Sequence, residues 1–172
     1  KGFRDLEIIG GEPMLRPEVL LSLINTATTS GLAARFTSNG FWGENRSDCE
    51  KIIKQLSNAG LKILSLSIDK LHTAKISPQS YLNIAYCLRE AGFPFHLRIY
   101  GLQGELGEDA LIKEMSAICA GHCNVYTSNL LPIGRAKKNA NQLKLEGWKI
   151  PEEDNRPCHW TLFPVVDADQ FW

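Results

Sequence analysis

The run Leu6-Glu7-Ile8-Ile9-Gly10-Gly11-Glu12-Pro13-Met14-Leu15-Arg16-Pro17 compresses the end of a strand, a turn and the start of a helix. Its first four residues are a short apolar strand interrupted by one acid. Gly10 and Gly11 let the backbone turn sharply and approach a ligand with no side chain in the way. Glu12 follows at once, and a carboxylate there can accept hydrogen bonds from an ammonium group. Arg16-Pro17 then opens a helix, since proline suits the first helical turn. Alone, Gly-Gly-Glu favours a tight strand-to-helix turn over a ligand receptor, and the rest of the chain has to decide.

Outward from it, strand-like apolar runs recur about every thirty residues, at 6–9, 34–37, 63–68, 95–100 and 125–131. Helical stripes lie between them. Cys49, Ile52, Ile53 and Leu56 are spaced i, i+3, i+4, i+7, with Ser47 and Glu50 in the capping-box relation. Tyr81, Ile84, Ala85 and Leu88 follow the Ser77-Pro78 helix entry, and Leu111, Ile112, Met115 and Ile118 make another stripe. Helix ends are predicted near Gly31, Gly60, Gly92 and Gly121. Strict alternation of strand and helix means a parallel sheet with right-handed crossovers, either doubly wound or a full or partial barrel. In either case ligands sit at the C-terminal strand ends, where Glu12, Thr37-Ser38-Asn39, Ser67 and Asp69 fall. Residues 137–156 are polar and charged without a stripe and read as a linker, and a different short module begins near Pro157-Cys158.

The composition is neutral, with 19 basic and 19 acidic residues among 172, so no global field draws nucleic acid or an anionic membrane. The longest apolar runs fall well short of a membrane span. The chain starts at Lys1 rather than Met and stops at Phe171-Trp172, and both ends read as cuts through a longer protein. Its cysteines are Cys49, Cys87, Cys119, Cys123 and Cys158, an odd number without the spacing of a secreted disulfide framework. Cys49 and Cys87 sit on helix stripes as small buried side chains. A reducing, cytoplasmic setting is expected.

Gly-Gly-Glu-Pro after an apolar strand resembles the motif with which radical S-adenosylmethionine (radical SAM) enzymes hold the methionine amino group. The resemblance implies an α/β fold, a partial (β/α)6 TIM-like barrel with parallel strands. The motif follows the second strand there, so the five runs match strands two to six, with the first strand and its cluster loop missing. Thr37-Ser38-Asn39-Gly40 is similar to the family's third-strand ending, Leu66-Ser67-Ile68-Asp69 to its fourth-strand Ser-x-Asp, and Leu97-Arg98-Ile99 to a fifth-strand arginine position. Leu131-Pro132-Ile133-Gly134-Arg135-Ala136 resembles the Gly-Arg-Ala ending of many members. Carried over, the SAM-binding set is Gly10, Gly11, Glu12, Thr37, Asn39, Ser67, Asp69 and Arg98. Each has a bland alternative. Asp69 either serves a ribose hydroxyl or caps the next segment, and Arg98 either points into a barrel interior toward an anion or lies along an open surface. His72 makes an Asp-x-x-His with Asp69, seen in a subset of the family, and the sequence assigns it no role.

The family's [4Fe–4S] cluster, held by Cys-x3-Cys-x2-Cys upstream of Gly-Gly-Glu, would have its ligands outside this chain, so the chain alone is not expected to cleave SAM. Cys119 and Cys123 imitate the start of that motif, but Tyr126 stands where the third cysteine belongs. Residues 1–136 are thus read as the partial barrel, 137–156 as a linker and 157–172 as the start of a SPASM- or twitch-like extension. Cys158 is its auxiliary iron–sulfur ligand or a plain buried thiol. The resemblance implies SAM, an electron donor such as flavodoxin or ferredoxin, and a substrate leaning toward a peptide or protein. Competing classes are a non-catalytic barrel kept as a binding module and an unrelated α/β enzyme. The last lacks a phosphate loop, since neither Gly-x-x-x-x-Gly-Lys nor Gly-x-Gly-x-x-Gly occurs.

Overall fold

In the computed structural model, residues 2–101, 110–129 and 165–167 are described. The elements follow the alternation: β1 (Asp5–Ile9), α1 (Pro17–Thr29), β2 (Ala33–Ser38), α2 (Arg46–Asn58), β3 (Ile63–Asp69), a one-turn α3 (Lys70–Thr73), α4 (Pro78–Glu90), β4 (Phe95–Gly101), α5 (Ala110–Cys119) and β5 (Cys123–Asn129). Two 3-10 turns, Pro13–Leu15 and Phe41–Gly43, follow the ends of β1 and β2. Helices α1, α2, α4 and α5 stop at Gly31, Gly60, Gly92 and Gly121, all with positive φ. Ser77 caps α4 through its side chain, as read from sequence. The capping box expected for α2 does not form. Asn45 takes the N-cap position with extended backbone and accepts from Asp48 N, which places Ser47 inside the helix.

All strand pairs are parallel, in the order β5-β4-β3-β2-β1, with β6 (Val165–Asp167) running parallel along the outer edge of β1. The first five strands thus lie side by side in chain order, without the reversal of a doubly wound sheet. With crossovers of one hand, every helix falls on the same face. That face is the apolar one. Leu64, Leu66 and Ile68 of β3, Phe95, Leu97 and Ile99 of β4, and Ala34 and Phe36 of β2 are all buried in one core. The helices bring Leu20 and Ile24, Cys49 and Ile53, Tyr81 and Ile84, and Met115 and Ile118 to that core.

The opposite face is polar. Register aligns Glu7 with Arg35, Thr37 with Ser65, Ser67 with Arg98 and Asp69 with Tyr100, so these side chains share it. Across it, Arg98 of β4 donates to Glu7 of β1 at 2.8 Å. Three strand spacings separate those strands, ~14 Å in a flat sheet, more than the two side chains could bridge standing upright. The sheet therefore curls around this face, which is the inside of a partial barrel, and Arg98 points into the interior toward an anion. Among the described residues the sheet is open, with β5 and β6 as its edges. The segment 137–156, the Gly134-Arg135-Ala136 ending and Cys158 lie outside the described residues. No described helix is long and apolar enough to cross a membrane.

Candidate functional site

The polar residues gather where the sequence places them, at the C-terminal ends of β1, β2 and β3. Gly10 and Gly11 both have positive φ (90° and 52°), which a side chain would oppose. They turn the chain so that Glu12 points back over the strand ends. Its Oε1 accepts from Met14 N (3.0 Å) and from the Ser38 hydroxyl (2.9 Å), and its Oε2 from Asn39 N (2.6 Å). Burial pushes the Glu12 carboxyl above its usual range, and the three hydrogen bonds with the nearby His72 charge offset only part of that push. Three of roughly four acceptor positions on a carboxylate are thus taken by protein donors, leaving room for about one more.

Ser38 organises the second strand end. Besides donating to Glu12, its hydroxyl accepts from Trp42 Nε1 (2.9 Å) and from Gly40 N (3.1 Å). Asn39 serves the site through its backbone, while its side-chain oxygen accepts from Phe41 N (3.1 Å) and closes the turn. Gly40, at φ 79°, lies against the ring of Tyr81, where a Cβ would sit 3.2 Å from a ring carbon. Asn83 of α4 ties the same turn down by donating to the carbonyls of Gly43 (2.9 Å) and Glu44 (3.2 Å). One strand residue earlier, Thr37 faces the barrel interior with its hydroxyl oxygen buried and without a partner. A buried hydroxyl left so is uncommon in a settled structure and marks a place for a ligand or water.

At the third strand end, Asp69 does what a capping residue does. Its Oδ1 accepts from Leu71 N (2.8 Å) and His72 N (2.9 Å), and His72 Nδ1 lies 2.6 Å from its Oδ2. Burial works to raise the Asp69 carboxyl, but the His72 ring and the two backbone N–H groups outweigh it and hold the carboxyl below its usual range. Ser67, two residues earlier, is half-buried on the interior face beside Arg98 in register. Arg98 enters the site already paired with Glu7, both largely buried. Beneath the layer, Tyr81 is fully buried, and its phenolic oxygen has no partner. Burial first, then the charges of Asp69 and Glu12, push that phenol far above the usual tyrosine range, so it stays a neutral donor.

The structure therefore brings Gly10, Gly11, Glu12, Thr37, Asn39, Ser67 and Asp69 to one layer and sets Arg98 on the interior wall beside it. Sequence reading placed Ser38 at the strand end within Thr37-Ser38-Asn39 without giving it a role, and it missed Glu7, Trp42, Tyr81 and Asn83 as parts of the site. Only Glu7 carried a readable signal, since it alternates with apolar residues in β1 as Arg98 does in β4. Cys119 and Cys123 are free thiols raised by burial, the opposite of a thiolate poised for metal. Among the described residues no three His, Cys, Asp or Glu side chains gather as a metal set.

No family model matches the chain. Over 73 residues, 41% of this chain, it is 36% identical to the GTP 3',8-cyclase of Microcystis aeruginosa. That alignment spans 20% of the cyclase, so the chain spans about a fifth of the length of this curated relative. Among solved structures, a domain of pyruvate-formate lyase-activating enzyme from Bacteroides vulgatus superposes with a TM-score of 0.55. It covers 83% of this chain and 94% of that domain at 16% identity, a likeness of fold.

Proposed function

We propose that the chain is part of a radical SAM enzyme and that its polar strand ends hold S-adenosylmethionine, a reading supported by its 36% identity over 73 residues to a GTP 3',8-cyclase. The observation that carries the proposal is Glu12. A buried carboxylate clamped at the end of a Gly-Gly turn, with one acceptor position left over, suits the methionine ammonium. The unpartnered Thr37 hydroxyl and Ser67, farther along β3 on the same interior face, supply donor/acceptor groups for the ribose diol. Gly10 and Gly11 let the methionine moiety lie against the backbone, and Arg98, oriented by Glu7, sets a positive wall for the SAM carboxylate. Asp69 is engaged by Leu71 N, His72 N and His72 Nδ1 and, like Glu12, keeps about one acceptor position, which it offers to the diol beside the hydroxyls.

A [4Fe–4S] cluster on cysteines outside this chain would supply the electron that cleaves SAM to a 5'-deoxyadenosyl radical for hydrogen abstraction. The chain's own part is to bind, orient and exclude water. In this proposal an electron donor of the flavodoxin or ferredoxin kind reduces the cluster, the substrate is a peptide or protein, the setting is the cytoplasm, and Cys158 is an auxiliary iron–sulfur ligand.

Full-length protein, reconstituted anaerobically, is expected to release 5'-deoxyadenosine from SAM. No release from protein with a verified cluster overturns the enzymatic reading, and SAM binding retained without cleavage identifies a binding module instead. Glu12→Ala should weaken SAM binding by roughly ten- to a hundredfold, because a charge-assisted hydrogen bond contributes about 1.5–3 kcal/mol. Iron and sulfide content of the Cys158→Ala variant tests the auxiliary ligand, and unchanged content removes it.

A further inference from the structure

Asp69 and His72 form a close pair at the third strand end, and the proposed SAM site uses only Asp69 of the two. Asp69 is an acceptor whose carboxyl is 7% exposed, and His72 Nδ1 lies 2.6 Å from it. An ionised carboxylate can only accept, so the neutral form of the ring carries its proton on the Nδ1 that faces Asp69 and keeps its lone pair on Nε2. Nδ1 is shut off from solvent and, short as the contact is, its angle to Asp69 does not complete a hydrogen bond, while the side chain as a whole is 38% exposed. The ring lies within electrostatic reach of Glu12. A second feature points to a ligand here. The Tyr81 phenol, fully buried and without a hydrogen-bond partner, lies within electrostatic reach of the same two carboxylates.

We infer that His72, held by Asp69, is the proton acceptor of this site, with Nε2 directed at a substrate that carries a hydroxyl or ammonium group. The X–H bond breaks, its electron pair stays on X, and the proton forms a new bond to Nε2. Nδ1–H remains on Asp69, and the resulting imidazolium faces two carboxylates, Asp69 in contact and Glu12 farther off. His72 would touch substrate, and Asp69 is its positioning residue. The location beside SAM rests on the function proposed above, whereas the dyad itself does not.

The test is histidine acylation by diethyl pyrocarbonate on the full-length protein, mapped by mass spectrometry, with nitrogen-15 NMR of the same samples. His72 should react about tenfold faster than the exposed His122, as a ring with a localised Nε2 lone pair does. In Asp69→Asn the amide oxygen can still accept from Leu71 N and His72 N, but its N–H now faces Nδ1 and drives the proton to Nε2. The NMR tautomer should switch and the His72 rate fall about tenfold. A His72 rate equal to that of His122, or a rate and tautomer unmoved by Asp69→Asn, overturns the assignment. SAM should slow the reaction of His72. Fast, Asp69-dependent acylation that SAM leaves unchanged upholds the dyad and overturns the SAM site beside it.

Discussion

Glu12 and Asp69 sit in one layer, yet their environments move them in opposite directions. Glu12 is raised above its ordinary value of 4.5 because burial outweighs its three hydrogen bonds. The folded chain therefore binds that proton more readily than the unfolded chain, and this group's contribution to stability grows as pH falls through the raised value. Asp69 lies below its ordinary value of 3.8, so its contribution is complete above that value and is lost as pH falls through the depressed one. An ammonium ligand needs Glu12 ionised. SAM binding by the full-length protein should thus release a proton in mildly acid buffer, and affinity should fall with pH earlier than an ordinary glutamate predicts. Calorimetry in buffers of different ionisation enthalpy reads the released proton directly, and its absence would remove Glu12 from the ammonium site. The sequence showed Glu12 but not its clamp, because Ser38 and Asn39 lie 26 and 27 residues away. For Asp69 it left capping and ligand binding open, since either use needs the same side chain at the same strand end.

The strands and helix stripes were legible because apolar side chains recur with periods that only one element accommodates. The expected start of α2 was displaced because Asn45 competes for the cap with Ser47, and an extended Asn45 offers its oxygen to Asp48 N at 3.3 Å. Less legible was the way α4 supports the site. Its Asn83 donates to two carbonyls of the Phe41–Gly43 turn region, and Gln79 donates to the Asn83 side-chain oxygen at 2.9 Å. Gly43 lies so close that an added Cβ would run into the Ser80 backbone carbonyl. The turn carries Trp42, whose indole reaches Ser38 and through it Glu12. Asn83→Ala should therefore lower stability by about 1–3 kcal/mol, the cost of leaving the buried Gly43 carbonyl without this donor. It should also weaken SAM binding without touching the ligand. Urea unfolding with an unchanged slope and a lower midpoint would carry the first part, and an unaltered midpoint would show the turn to be held by other contacts.

At the scale of the molecule, the order of the strands was readable but the curvature was not. Alternation places Glu7 and Arg98 each on a polar face, and nothing local says that β1 and β4 curl toward one another. Their hydrogen bond, across three strand spacings, makes the pair a strut of the curved interior. The side chains are only 15% and 20% exposed, so the pair is largely desolvated and the Glu7 carboxylate leans on Arg98. Replacing the pair together costs less than removing Arg98 alone, which leaves Glu7 buried without its cation. Arg98→Met alone should therefore cost about 3 kcal/mol, near the lower bound for breaking a buried pair because some solvent reaches it. Adding Glu7→Gln should return a substantial part of that loss, giving a coupling of about 1–3 kcal/mol in a double-mutant cycle. Four urea denaturation curves measure it. Additive effects would mean that the two side chains do not hold each other in solution, and the curvature would then have to come from the helix-covered face alone.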